Sequence, residues 1–291
     1  MPTPFADRLA AALDASAPIC IGLDPVLERL PVEIRSRHAD AATALEKFSR
    51  GVLDAVRGVA PVVKFQSACY ERFGSPGMAV LEEAIDHARN LGLLVILDAK
   101  RGDIGISNDH YAAAVALTGA HAVTTSPYLG VETLKSFLAQ GLGVFTLVRT
   151  SNPEGDAIQS ARLQDGRTIA QFIAAEAARI GADSRGERGL SNLGAVVGAT
   201  KADEGAELRA AMPDQPVLIP GYGAQGGGAA GVRSLIRPGM SSPGDAGILV
   251  TASRSVIYPP SKEGWQQDIR DAAAHFAGEI TQIIKEMPAS A

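Results

Sequence analysis

Cysteine is scarce in this 291-residue chain: only Cys20 and Cys69 are present, and no C-x-x-C pair occurs. Two such residues build neither a disulfide framework nor a thiolate metal site, and they suit a reducing cytoplasm. None of the five histidines stands in an H-x-H or H-E-x-x-H cluster, so the common transition-metal signatures are missing. No cluster of Lys and Arg offsets the net charge of -5, which argues against a nucleic-acid surface. No apolar run approaches the ~20 residues of a membrane span, and Asp7, Arg8 and Asp14 fall where a signal peptide would be apolar. No sequence repeat is visible. What is left is an acidic chain, 46% hydrophobic, with enough apolar content for one large core. A cytoplasmic protein acting on a small molecule is expected, with no membrane partner.

What the chain does have is an unbroken alternation of short apolar runs and helical periodicities. The runs are Ile19–Asp24, Pro61–Gln66, Leu93–Asp98, His121–Ser126, Gly143–Arg149, Gly194–Thr200, Pro216–Ile219 and Ala246–Thr251. Helical spacing is read over 41–59, 78–90, 106–117, 131–140, 168–180, 204–212, 229–236 and 265–287, with a further helix at 5–13 ahead of the first strand. Pro25 to Asp40 reads as irregular and polar, and Gly74-Ser-Pro-Gly as a turn. Eight strands, each followed by a helix, predict one (β/α)8 TIM barrel over residues 1–291, with an N-terminal and a C-terminal helix.

In such barrels the functional groups sit at the C-terminal ends of the strands. Those ends carry Asp24, Lys64 with Gln66, Asp98 with Lys100, Thr125 with Ser126, Arg149 to Asn152, Thr200 with Lys201, Gly221 to Gly228, and Ser253 with Arg254. The densest is Asp98-Ala-Lys-Arg-Gly-Asp103 after strand three. Side chains two apart on a strand share a face, so Asp98 and Lys100 point together, and Asp103 can curl back or reach a neighbouring chain. Taken alone, D-x-K-x-x-D is equally a strand-end ion pair with a helix N-cap at Asp103. Lys64 bears on the choice: inside Val-Val-Lys-Phe it is expected to be buried and therefore to need a partner, for which Asp98 and Asp103 are the candidates.

The last two loops read as an anion site. Barrels often bind phosphate with the loops after strands seven and eight, which here are Pro220-Gly-Tyr-Gly-Ala-Gln-Gly-Gly-Gly and Ser253-Arg-Ser. Glycine lets backbone N–H groups approach an anion, and Arg254 offers a planar fork for phosphate oxygens. Gly221, Gly223 and Gly226 also satisfy G-x-G-x-x-G. That fingerprint opens a chain's first strand-turn-helix unit and precedes an acidic residue ending the next strand, and neither holds here.

Together, Asp98-Ala-Lys100-Arg-Gly-Asp103-Ile104, Lys64 on strand two, Thr150-Ser-Asn-Pro153 after strand five, Gly221-Tyr-Gly-Ala-Gln225 and Ser253-Arg-Ser255 resemble the orotidine 5′-monophosphate decarboxylases, in their long-chain bacterial branch. The resemblance spans strand one to strand eight. It implies conversion of orotidine 5′-monophosphate to uridine 5′-monophosphate in de novo pyrimidine biosynthesis, without metal or organic cofactor, in a homodimer with shared active sites. By it, Lys100 would protonate C6, Asp98 would lie against the substrate carboxylate, and Lys64 would complete a Lys64/Asp98/Lys100/Asp103 charge network. Asp103 and Ile104 would come from the partner subunit. Asp24 would bind the ribose hydroxyls, Ser151 the pyrimidine amide, Gln225 would link base and phosphate, and Arg254 would clasp the phosphate, with Ser107 and Ser253 as further substrate-binding positions.

The chain departs from the typical family pattern in having Ser107 for Thr and Ser253 for Gly, and in a long stretch from Gly226 to Gly244. Pro25 to Asp40 and Glu154 to Arg167 read as insertions that fall on no proposed catalytic residue. Two other enzyme classes could share this motif set. A metal-dependent sugar-phosphate decarboxylase or epimerase would carry an acidic ligand at the end of strand two, where Lys64 stands. A Schiff-base lyase would use Lys100 or Lys64 as nucleophile. A non-catalytic phosphate-binding barrel would leave the charge network without a purpose.

Overall fold

A computed structural model describes residues 3–37, 40–223, 226–260 and 264–287. Eight parallel strands, β1 (Ile19–Leu23), β2 (Val62–Gln66), β3 (Leu94–Arg101), β4 (Ala122–Thr125), β5 (Gly143–Arg149), β6 (Leu193–Val197), β7 (Val217–Ile219) and β8 (Ile248–Ala252), close into a barrel in chain order, β8 pairing back onto β1. This is the expected (β/α)8 architecture. The strands are short and buried on both faces, as their runs of Val, Ile and Leu require when helices cover the outside.

Strand alternation sorts the core into two bodies. Ile19, Ile21, Val63, Phe65, Val95, Leu97 and Val123 point outward and pack against the surrounding helices. Cys20, Val62, Leu94, Ile96, Ala122, Phe145, Val196, Leu218 and Leu249 point inward and fill the barrel. The helix Phe5–Asp14 closes the N-terminal end, adding Phe5, Leu9 and Leu13 to that interior cluster. Phe5 meets Phe145 edge-on, ring centroids 6.0 Å apart. Gly143 makes this approach possible, since a Cβ there would lie 2.1 Å from the Phe5 ring. With one end plugged by apolar side chains, the same inward parity carried further up the strands places Lys64, Asp98, Thr124, Leu147 and Thr251 at the open end.

The outer layer includes the C-terminal helix Trp265–Lys285, which buries Ile269, Ala273, Phe276 and Ile280. It packs on the helix Ala41–Val56, whose N-cap Asp40 accepts a hydrogen bond from the Thr43 N–H. No helix among the described residues is long and apolar enough to cross a membrane.

Local structure departs from the sequence reading most clearly in four places. Gly74-Ser-Pro-Gly is not a turn but the first turn of the helix Gly74–Asn90, because the first N–H groups of a helix need no intrahelical acceptor and Pro76 costs nothing there. The segment 25–40 contains a 3₁₀ turn at Leu27–Arg29 and a helix at Val32–Arg37, anchored by the one buried apolar side chain in that helix, Ile34. The 131–140 helix divides into a 3₁₀ turn, Val131–Leu134, and a short helix, Lys135–Ala139. β3 runs three residues past Asp98 to Arg101, through a bulge: Leu97 pairs with Val123 but Arg101 with Thr125, so Asp98, Ala99 and Lys100 together face Thr124.

Candidate active site

A cavity of about 270 Å³ opens at the C-terminal end of the barrel. Its floor is the inward-facing layer of strand ends: Lys64 and Gln66 of β2, Asp98 and Lys100 of β3, Thr124 of β4, Leu147 of β5 and Thr251 of β8. Asp24, just past β1, stands on one side. Thr150, Ser151 and Asn152 follow β5, and Pro220 to Tyr222 and Ser253 to Ser255 complete the wall.

Asp98 is the centre of the charge array. It is buried, and Lys64 Nζ donates to its Oδ2 at 2.6 Å while Lys100 Nζ donates to its Oδ1 at 2.7 Å. Gln66 Nε2 also reaches Oδ2, at 3.3 Å, and Thr124 Oγ1 donates to Oδ1 at 2.8 Å. Burial alone would push the carboxyl up. The two ammonium groups overcome it and hold Asp98 well below the usual carboxylate range. Lys64 is the converse case: burial disfavours its charge, but the Asp98 and Asp24 carboxylates raise it above the ordinary lysine value. Lys64 Nζ lies 3.9 Å from Asp24 Oδ1, an acceptor that is itself buried and takes no hydrogen bond among the described residues. The buried Lys64 is thus partnered on both sides. Lys100 differs, its side chain being 47% exposed, so its ammonium is tied to Asp98 yet open to the cavity.

Of the remaining positions singled out from the sequence, Ser151, Ser253 and Arg254 line the cavity, with Arg254 exposed beside it. Gln225 lies outside the described residues. Asp103, Ile104 and Ser107 do not line the cavity of their own chain. The Asp103 carboxylate instead accepts from the Ile104 N–H at 2.8 Å, and Ile104 and Ser107 are exposed. Within one chain, then, three of the four groups of the expected network meet and Asp103 stands apart.

The structure also corrects two expectations. Thr125 and Ser126 were the expected contributions of β4, but the inward residue is Thr124, two past Ala122, and Thr125 points outward. Arg149, Thr200 and Lys201 do not enter the cavity. Arg149 is 3% exposed and holds Glu204 through Nε and NH2, the latter at 2.7 Å, and Asp156 through NH1 at 2.6 Å. Lys201 Nζ reaches the same Asp156 oxygen at 2.6 Å. Gln159 accepts from the Thr150 N–H at 2.8 Å. The segment read as an insertion therefore braces the backbone from which Ser151 and Asn152 extend. Glu204, 55 residues from Arg149, completes the brace from outside that segment.

Chemically, the floor offers an ammonium with access to a bound group, set against a carboxylate that stays ionised, with a second, buried ammonium balancing the charge. The glycine-bearing β7 loop and Arg254 offer an anion site across the cavity. Among the described residues, no three His, Cys, Asp or Glu side chains converge as metal ligands.

Known proteins resemble this chain over most of its length. The chain is 39% identical over 303 residues to the orotidine 5′-phosphate decarboxylase of Rhodopirellula baltica, covering 95% of this chain and 98% of that one. To the orotidine 5′-phosphate decarboxylase of Salinispora tropica it is 44% identical over 264 residues, covering 87% and 89%. The solved structure of Leishmania donovani OMP decarboxylase superposes with a TM-score of 0.80 at 30% identity, covering 98% of this chain and all of that one. With residues 17–262 matching the family model itself, the chain belongs to the orotidine 5′-phosphate decarboxylase / HUMPS family.

Proposed function

We propose that the protein decarboxylates orotidine 5′-monophosphate to uridine 5′-monophosphate, the carboxy-lyase step of de novo pyrimidine biosynthesis, without metal or organic cofactor. The observation that carries this reading is the Lys64–Asp98–Lys100 array on the cavity floor. A metal-dependent sugar-phosphate enzyme of related barrel type is expected to carry an acidic ligand at the end of β2, and Lys64 and Gln66 stand there instead.

Loss of CO2 from C6 leaves an electron pair in the plane of the ring, with no adjacent carbonyl placed to delocalise it. The C6–carboxylate bond breaks, CO2 departs, and the pair takes a proton from the Lys100 ammonium, which regains one from solvent. Electrostatics carries the step. An ammonium ~4 Å from a unit negative charge contributes about 4 kcal/mol at an effective dielectric of 20, and Asp98 repels the departing carboxylate by a similar amount. Barrier reductions by enzymes run to ~8–23 kcal/mol, so binding energy from the remote phosphate and ribose must hold the carboxylate against Asp98. Arg254, Ser253 and the β7 loop with Gln225 serve the phosphate, Asp24 the ribose and Ser151 the base.

The fourth charge, Asp103, and Ile104 enter from a second copy. Ile104, Ile106, Tyr128 and Leu129 are 61%, 73%, 82% and 51% exposed. They lie on two segments that Asn108 joins by donating to the Thr133 carbonyl at 2.7 Å. Exposed apolar side chains on the segments near Asp103 suit a homodimer with shared sites. The unpaired Cys20 and Cys69 suit a reducing cytoplasm.

The test is the fall in pyrimidine absorbance when orotidine 5′-monophosphate is added in the presence of EDTA. Turnover unaffected by the chelator is expected. No turnover, or turnover restored by magnesium alone, overturns the proposal, and borohydride trapping of substrate on the protein would point to a Schiff base instead.

A further inference from the structure

Lys100 stands in an unusual backbone. It is the one non-glycine residue with positive φ among the described residues, at 45°, a region that side-chain-bearing residues rarely adopt. It also sits in the β3 bulge, where three residues oppose one and the regular ladder lapses. Something must satisfy the backbone there and hold the strained conformation.

That group is Thr124, 1% exposed, the single β4 residue facing the bulge. Its Oγ1 accepts from the Lys100 N–H at 3.0 Å and donates to Asp98 Oδ1 at 2.8 Å, the oxygen that also receives Lys100 Nζ at 2.7 Å. A hydroxyl has one proton and two lone pairs, so it makes both bonds without competition. The result is a closed ring: Thr124 holds the Lys100 backbone at one end and, through Asp98, the Lys100 ammonium at the other.

We infer that Thr124 is a positioning residue for the decarboxylation, fixing where the Lys100 ammonium sits by anchoring both its backbone and its acceptor. The inference rests on the proposed role of Lys100 as proton donor to C6. Without the hydroxyl, the Lys100 N–H loses its acceptor, the peptide relaxes toward the ordinary extended region, and Nζ moves with it. The phosphate and ribose contacts lie on other strands and are untouched, so the loss falls on turnover rather than on nucleotide binding.

The test compares Thr124→Val, close in shape but without the hydroxyl, with Thr124→Ser, which keeps the hydroxyl and loses the methyl. Steady-state decarboxylation, uridine 5′-monophosphate binding and thermal unfolding are measured for each, with Lys100→Ala as reference. The valine variant is expected to lose about 100-fold in kcat, the scale on which small misplacements act. Its KM and product affinity should stay within about threefold, and serine should restore kcat to within about fivefold. Should the valine variant not fold, Thr124→Cys, whose thiol is a weak donor and acceptor, takes its place with the same expected loss. A valine variant with near-normal kcat overturns the inference. So does a serine variant as slow as valine, which would assign the effect to the methyl, or a parallel fall in kcat, product affinity and unfolding temperature, which would mark a merely structural role. An active Lys100→Ala protein removes the proton-donor reading and this inference together, whereas an inactive one beside a fully active valine variant removes this inference alone.

Discussion

Gln159 grips Thr150 twice: its Oε1 accepts from the Thr150 N–H at 2.8 Å, and its Nε2 donates to Thr150 Oγ1 at 2.9 Å. Next in the chain are Ser151 and Asn152, which line the cavity, so the side-chain amide of an apparent insertion braces the loop proposed to meet the base. Gln159→Ala leaves the partly buried Thr150 N–H without its acceptor and should lower kcat/KM about tenfold, chiefly through KM, toward the low end of the ~1–3 kcal/mol cost of an unpaired donor. Steady-state kinetics on the folded variant checks this, and an unchanged KM would mean that the loop holds its position without the amide.

In the proposed function Arg254 serves the phosphate, away from the reacting carbon. Arg254→Ala should therefore raise KM for orotidine 5′-monophosphate by roughly 10- to 100-fold, as expected for loss of charge-assisted hydrogen bonds. With orotidine, which lacks the phosphate, the same substitution should have little effect. Equal losses with both substrates would contradict the assignment.

Because Asp103 stands away from Lys100 in its own chain, a shared site makes a quantitative prediction. Lys100→Ala and Asp103→Ala homodimers should each be inactive. Unfolding and random reassembly of an equal mixture makes about half the dimers mixed, each with one site carrying both lesions and one carrying neither, so activity should return to about a quarter of wild type. A mixture that stays inactive, with mixed dimers shown to form, would place Asp103 in its own chain's site.

His121 Nδ1 accepts a hydrogen bond from the Val95 N–H at 2.9 Å, which requires the unprotonated nitrogen. Burial, aided by the Arg8 and Arg89 charges, pulls the imidazole down from 6.5 to about 4. The folded state thus binds fewer protons than the unfolded state between those values. The stability this group contributes is complete above pH 6.5 and is lost as pH falls toward 4. Thermal unfolding midpoints should drop more steeply over that range in the wild type than in His121→Asn, whose Oδ1 can still accept from Val95. Parallel pH profiles would show that other groups set the slope.

The barrel was readable in the sequence because strands buried on both faces leave apolar runs that few other structures produce, and strand-end counting then brought Lys64, Asp98 and Lys100 together. Thr124 was also within reach, since Ala122 is inward-facing and parity carries two residues on, but counting from the strand's end favours Thr125. The bulge in β3 was not readable: no glycine marks it, and Lys100 takes the left-handed backbone that glycine would normally supply. Nor could Asp156 and Gln159 be assigned: Gln159 meets Thr150 because the segment folds back on itself, and Asp156 joins Arg149 to Lys201, 45 residues on. Gly74-Ser-Pro-Gly misled because proline and glycine at a helix start look, as composition, like a turn.

The N-terminal plug also has a consequence in time. Besides filling the barrel's closed end, the helix Phe5–Asp14 bonds to much later chain: Asn192 Oδ1 accepts from the Ala6 N–H, and Asp14 accepts from the Gly244 N–H, 230 residues on. At synthesis rates of ~5–20 residues per second, the helix waits on the order of 10–50 s for its seat to be made. Throughout that interval Phe5, Leu9 and Leu13 have no barrel to enter, so a helix made before all eight strands is among the last pieces fitted. Nascent chains halted before Gly244 should therefore present that apolar stripe to chaperones, while the finished protein hides it.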